Sequence, residues 1–207
     1  MSYSSLYGIR ENYTGERLVE YKNSWYFSPI IWDVLCDKYI PRLIQTPYGY
    51  KKSFITSGNE LLNPLNNKVN NCESTPDRIC WEMSMMQIFF TKDKLVISSA
   101  IRQFVKDNKR YDIREDKKGI LEYEHIIERF NQIADDIESL DKNTYPYFVF
   151  KNTSCDDNVE YWFSKYNEET DEEEEKALNE LDEYVAEFVV IEDGKISKFI
   201  PNKEFKY

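Results

Sequence analysis

Between Asp156 and Asp193, sixteen of thirty-eight residues are Asp or Glu and only Lys165 and Lys176 oppose them, a net charge of −14. Ionised carboxylates at this density are too costly to take out of water, so one face of the segment binds the core and the other is anionic. The whole 207-residue chain carries −11, which leaves the remainder at +3 and makes the acidity local. Asymmetry of this kind bears on partners and association more than on fold.

The segment still carries the marks of folded structure. Thr170 precedes Asp171, Glu172 and Glu173 with the Thr-x-x-Glu spacing of a capping box, and carboxylates suit the first turn of a helix. Ala177, Leu178, Leu181, Tyr184 and Val185 follow at three- and four-residue spacing, which predicts an acidic helix with one apolar stripe and Glu172, Glu173, Glu180 and Glu183 largely off it. Two β-branched runs, 187–192 and 195–200, then flank Asp193-Gly194, the dipeptide that a type I′ hairpin turn favours.

Hydrophobic residues make up 41% of the chain and aromatics 15%, enough for burial to offset chain entropy, and no Gly/Ser- or Pro-rich linker divides the sequence. One domain spanning 1–207 is expected, with the acidic subregion at 156–193. With no run of about 18 apolar residues and no basic region followed by an apolar one at the start, neither a membrane span nor a signal peptide is expected, and the location read from this is cytoplasmic. Cys36, Cys72, Cys80 and Cys155 are scattered and read as buried thiols rather than bridges. The abundance of Asn, Lys, Ile and Tyr is in keeping with an AT-rich genome, such as that of a low-GC bacterium or its phage.

Along the chain, Leu6–Ile9, Arg17–Tyr21 and Trp25–Phe27 read as short antiparallel strands. Ser28-Pro29 opens an amphipathic helix that Pro41 stops. Residues 42–75, rich in Asn and broken by Pro and Gly, read as an irregular connection with one strand near Ser53-Phe54-Ile55. Thr75-Pro76-Asp77 starts a helix whose body, Ile79–Phe90, is apolar nearly all round and so buried. Lys92-Asp93-Lys94 separates it from a second helix, Leu95–Val105, and Gly119 opens the longest periodic segment, Ile120–Leu140. Tyr145–Lys151 and Val159–Phe163 read as strands. The class is α+β: a helical middle at about 76–140 flanked by short antiparallel strands, then the acidic helix and a C-terminal hairpin.

No catalytic or phosphate-binding motif is present. Glu122-x-x-His125 has the spacing of a di-metal carboxylate ligand pair, but such a site needs two copies and the chain has one histidine. His125 reads as a surface residue, the Met83, Met85, Met86, Phe89, Phe90 cluster as core, and the basic span Arg102–Lys118 as a solvated face that docks the chain's own acidic stretch. No metal or nucleotide cofactor is expected. The enzymatic alternative is a small hydrolase or transferase using Asp/Glu pairs, or Cys80 with His125 as its base. A structural or oligomerisation module is the third class.

The function expected is a non-enzymatic protein that binds a basic, nucleic-acid-handling partner and blocks or modulates it. The contact surface is assigned to Asp171, Glu172, Glu173, Glu174, Glu175, Glu180 and Glu183, with Tyr161, Trp162 and Tyr166 as apolar anchors. In charge pattern this resembles the DNA-mimicking inhibitors that phages carry against host nucleases, restriction and CRISPR systems included.

Overall fold

The computed structural model describes residues 2–40, 54–114, 116–152 and 159–205. Its strands are β1 (Tyr3–Ile9), β2 (Gly15–Lys22), β3 (Ile88–Phe90), β4 (Tyr147–Lys151), β5 (Ser164–Asn167), β6 (Glu172–Glu175), β7 (Glu187–Glu192) and β8 (Lys195–Pro201). The helices are α1 (Ser28–Tyr39), α2 (Phe54–Asn70), α3 (Thr75–Ser84), α4 (Lys94–Asp107), α5 (Glu124–Ser139) and the short α6 (Val159–Phe163). Six strands form one sheet in the order β2-β1-β4-β3-β7-β8. Its neighbours are antiparallel except β3 and β7, which run parallel. The chain is a single α+β domain.

Period-two alternation decides what each face of this sheet meets. Leu6, Phe89, Phe148, Phe150, Val189 and Ile191 point into a core shared with α1 to α5. Tyr7, Ile9, Ile88, Tyr147, Val149 and Phe188 point the other way and are covered by Val159, Trp162, Phe163, Leu178 and Leu181. All five residues of β4 are therefore buried. In the helical layer Phe130 stacks on Phe104 at 6.0 Å and meets Phe27 at 4.7 Å. A buried polar knot ties three helices together: Asp77 of α3 accepts from Lys38 Nζ at 2.5 Å, Tyr39 Oη at 2.6 Å and Asn108 Nδ2 at 2.9 Å. Asn108 lies just past the end of α4. Removing one partner would strand the others away from water, so the knot fixes how α1, α3 and α4 sit.

Several expectations hold. Asp193 and Gly194 turn the C-terminal hairpin with φ of 50° and 74°, the positive values a type I′ turn needs. The segments 95–105 and 120–140 are helical, the latter as a tight turn at Ile120–Glu122 followed by α5. Cys36 and Cys80 are buried, whereas Cys72 is only half-buried and Cys155 lies outside the described residues.

Other expectations are overturned. The predicted helix over 79–90 stops at Ser84, and the chain passes through Met86 at φ 57° into β3. A short apolar run fits a buried strand as well as a buried helix, and pairing with β4 and β7 decides the matter. Residues 54–70 form α2 instead of an irregular connection, with Leu61, Leu65 and Val69 buried at four-residue spacing beneath an asparagine-rich outer face. Phe54 and Ile55 are thus helical, and Pro41 and Ser53 lie outside the described residues. Trp25 and Tyr26 sit in a 3₁₀ turn, entered from Asn23 at φ 60°, not in a strand. Val159–Phe163 is one helical turn and a little more, not a strand. Ser28 is the first residue of α1 rather than its cap, and its hydroxyl donates to Asn152 Oδ1 at 2.5 Å.

Since the central strands are buried on both faces, Phe148→Ala on the helix-covered face and Phe188→Ala on the other should each destabilise the protein by about 3–5 kcal/mol in urea unfolding. A near-neutral Phe188→Ala would show that the second face is not a packed core.

Candidate functional site

The acidic tract is not helical. β5 and β6 pair as an antiparallel ribbon with Ser164 opposite Glu175, Lys165 opposite Glu174, Tyr166 opposite Glu173 and Asn167 opposite Glu172. Thr170 and Asp171, expected to start the helix, lie in the connecting turn, where Asp171 takes φ 58° and its N–H donates to the Asn167 carbonyl at 2.9 Å. The Asn167 side chain accepts from Glu169 N–H at 2.9 Å and tightens the same turn.

Like-charge repulsion explains the departure. In a helix Asp171–Glu175 would crowd carboxylates at three- and four-residue spacing, each such pair costing roughly 0.2–0.5 kcal/mol. A strand sends consecutive side chains to opposite faces and lets the partner strand answer them. Glu174 accepts from Asn167 Nδ2 at 2.6 Å and lies 3.6 Å from Lys165 Nζ, while Arg10 Nη1 donates to Glu175 at 3.0 Å. The Asn167 hydrogen bond, with Lys165 helping, holds the Glu174 carboxyl below its usual range.

Three of the five apolar residues assigned to a helical stripe are buried, but from an extended segment. Ala177, Leu178 and Leu181 pack beneath the tract around a 3₁₀ turn at Leu178–Glu180, while Tyr184 is 55% exposed. Two backbone bonds fasten the segment: Lys176 N–H to the Phe163 carbonyl at 2.9 Å and Leu178 N–H to the Tyr13 carbonyl at 3.0 Å.

Of the residues assigned to partner binding, Asp171, Glu172, Glu173, Glu175, Glu180 and Glu183 are exposed and Glu174 is half-buried. Tyr161 and Tyr166 are 69% and 60% exposed. Trp162 is not a surface anchor: it is buried against the second face of the sheet, because α6 turns its ring inward where a strand would have alternated it outward. Tyr161, Trp162, Tyr166, Glu173 and Glu183 nonetheless line one groove of about 440 Å³ together with Leu181. Lys165 and Lys176 line it too, so the groove itself is mixed in charge and the surplus of carboxylates lies along the ribbon and its turn. Asp171, Glu172, Glu174, Glu175 and Glu180 are not part of the groove wall.

The basic span does not dock the acidic stretch in any ion pair among the described residues. Arg102 bonds Asp135 and Glu138 of α5, and Arg114 bonds Asp112. Cys80 is wholly buried and burial pushes its thiol up, whereas His125 is exposed, with ring contacts to Tyr26 at 5.1 Å and Tyr123 at 5.9 Å. Cys80 is thus no accessible nucleophile in this fold. Among the described residues no group of three or more His, Cys, Asp and Glu side chains is placed to hold a metal ion. No described helix is long and apolar enough to cross a membrane. Comparison with protein-family models, with curated proteins and with solved structures finds no match in any of the three.

One acidic group was missed. Glu82, at the end of α3, is 4% exposed, and its Oε1 has no hydrogen-bond partner among the described residues. Burial first, and then the charge of Glu187, push its carboxyl up to about 8, with Arg78 pulling the other way. It is the only charged residue between Ile79 and Phe90, and that isolation in an apolar run is the signal that could have found it. A carboxyl whose folded-state pKa lies above the unfolded one keeps its proton in the native state, so its effect is to lower stability as pH rises from about 4.5 through about 8. Glu82→Gln should therefore melt above the wild type at about pH 8.5, and the gap should close as pH falls toward about 4, as calorimetry across that range would show. A gap independent of pH would mean that Glu82 is ionised in the native state.

Proposed function

We propose that this protein is a non-enzymatic inhibitor or modulator that occupies the basic, nucleic-acid-binding surface of another protein, with the acidic ribbon standing in for a nucleic-acid backbone. The setting that fits its charge pattern is a phage-type block on a host nuclease, restriction or CRISPR systems included. The observation that carries the reading is the extended conformation of Glu172–Glu175. A strand advances roughly 3.3 Å per residue and sends alternate side chains to opposite faces. Glu172 and Glu174 thus lie on one face and Glu173 and Glu175 on the other, each pair roughly 6.6 Å apart, about two steps of a nucleic-acid strand. Phosphates along one strand of B-DNA recur at roughly 3.4 Å of helix axis. A helix would have wound the same four charges around an axis at a rise of about 1.5 Å.

Packing supports the same reading. The ribbon is ordered before any partner arrives, so binding need not supply the ordering entropy that a disordered acidic tail would demand. Leu178 and Leu181 fix the following segment to the sheet, and Tyr161 and Tyr166 offer exposed aromatic area beside the charge. Association through such a surface is steered electrostatically and weakens as salt rises.

Capture from a low-GC bacterial lysate tests this, with the native protein and a variant carrying Gln at positions 172 to 175 immobilised in parallel. The native protein should retain nucleic-acid-handling proteins that raised salt or added duplex DNA releases, and the variant should lose them. Equal capture by both, indifferent to salt and to DNA, would contradict the proposal.

A further inference from the structure

Among the described residues the ribbon has a free edge. Lys176 N–H bonds the Phe163 carbonyl and so extends the β5–β6 register by one pair. Hydrogen-bonded and non-bonded pairs alternate along an antiparallel ladder. Glu174 with Lys165 and Glu172 with Asn167 are then the bonded pairs, and the backbone N–H and C=O groups of Glu173 and Glu175 face away from β5. Among the described residues β6 has no strand neighbour but β5, and no backbone bond reaches Glu173 or Glu175 from the open side. An edge with unpaired donors and acceptors is a template for another strand.

We propose that this edge of β6 takes an extended, lysine- or arginine-bearing segment of a protein partner as an added strand. The inference rests on the reading of the partner as basic and names the way it is held. Charge decides between occupants: a second copy's β6 would set glutamate against glutamate, which is destabilising, whereas a basic strand gains opposite-charge cross-strand pairs worth roughly 0.2–1 kcal/mol each. Main-chain bonds then supply affinity that charge alone does not give, and side-chain pockets supply selectivity. Glu173 and Tyr166 share the ribbon face that lines the groove, so every second residue of the added strand runs along it.

The probe is an end-blocked eight-residue peptide alternating lysine and threonine, compared with a twin N-methylated at every residue, which keeps the charge and loses the N–H donors. The parent peptide should bind the native protein, and the twin should bind at least about tenfold more weakly at the same ionic strength. Hydrogen exchange at the Glu173 and Glu175 amides should slow on adding the parent peptide, while Glu172 and Glu174 change little. Glu173→Pro, which removes an outward N–H without touching the β5 ladder, should abolish binding that Glu173→Gln, which loses only one charge, merely weakens. Equal, salt-sensitive binding of both peptides with unchanged exchange would overturn strand addition and leave the charge reading standing. Binding of neither peptide at low salt would overturn both. Slow exchange at those two amides without peptide, growing with protein concentration, would assign the edge to a second copy and overturn the basic partner segment.

Discussion

Strand β4 is apolar on both faces, and burying both is the requirement that the rest of the structure answers. The helical layer covers one face, through Phe148 and Phe150. The other face, carrying Tyr147 and Val149, is covered by the part of the chain that holds nearly all the surplus negative charge. Those demands are compatible because the acidic segment is two-sided. Trp162, Phe163, Leu178 and Leu181 go inward, and each large apolar side chain so buried contributes roughly 1.5–3 kcal/mol. The carboxylates between them are left facing water. Charge display is thus a consequence of how the second core is closed.

Much of this architecture is legible in the sequence where one local signal dominates. The long period of α5 and the Asp-Gly turn have no strong competitor, and the alternation of Tyr147 to Phe150 reads correctly as a strand. Legibility fails where local and tertiary terms compete. Leu61, Leu65 and Val69 carry a helical spacing, but a background of asparagine and Pro64 masks it. Ile88–Phe90 continues an apolar run without a break in polarity, so only the vacancy between β4 and β7 makes it a strand.

The acidic tract is the sharpest case. A capping box favours a helix by about 1 kcal/mol, and that preference is real but small. Against it stand repulsion among five consecutive carboxylates and the specific answers that Lys165, Asn167 and Arg10 give them in the ribbon. The residues assigned to partner contact are accordingly legible by charge and not by geometry. Glu173 and Glu183 converge on one groove with Tyr161 and Tyr166, but nothing in the spacing of Trp162 shows that its ring turns inward. Glu82 was hidden for the opposite reason, as a lone carboxylate inside a run read as core.

Extended or helical, the same side chains would present different surfaces to a phosphate-binding groove, so the functional reading depends on the ribbon. Backbone proton contacts by NMR separate the two directly. In a non-bonded antiparallel pair the Cα atoms approach to about 4.5 Å and the Hα protons face each other. The ribbon predicts strong Hα–Hα contacts between Tyr166 and Glu173 and between Ser164 and Glu175. Sequential amide–amide contacts through Glu172–Glu175, with three-residue contacts from Asp171 to Glu174, would contradict it.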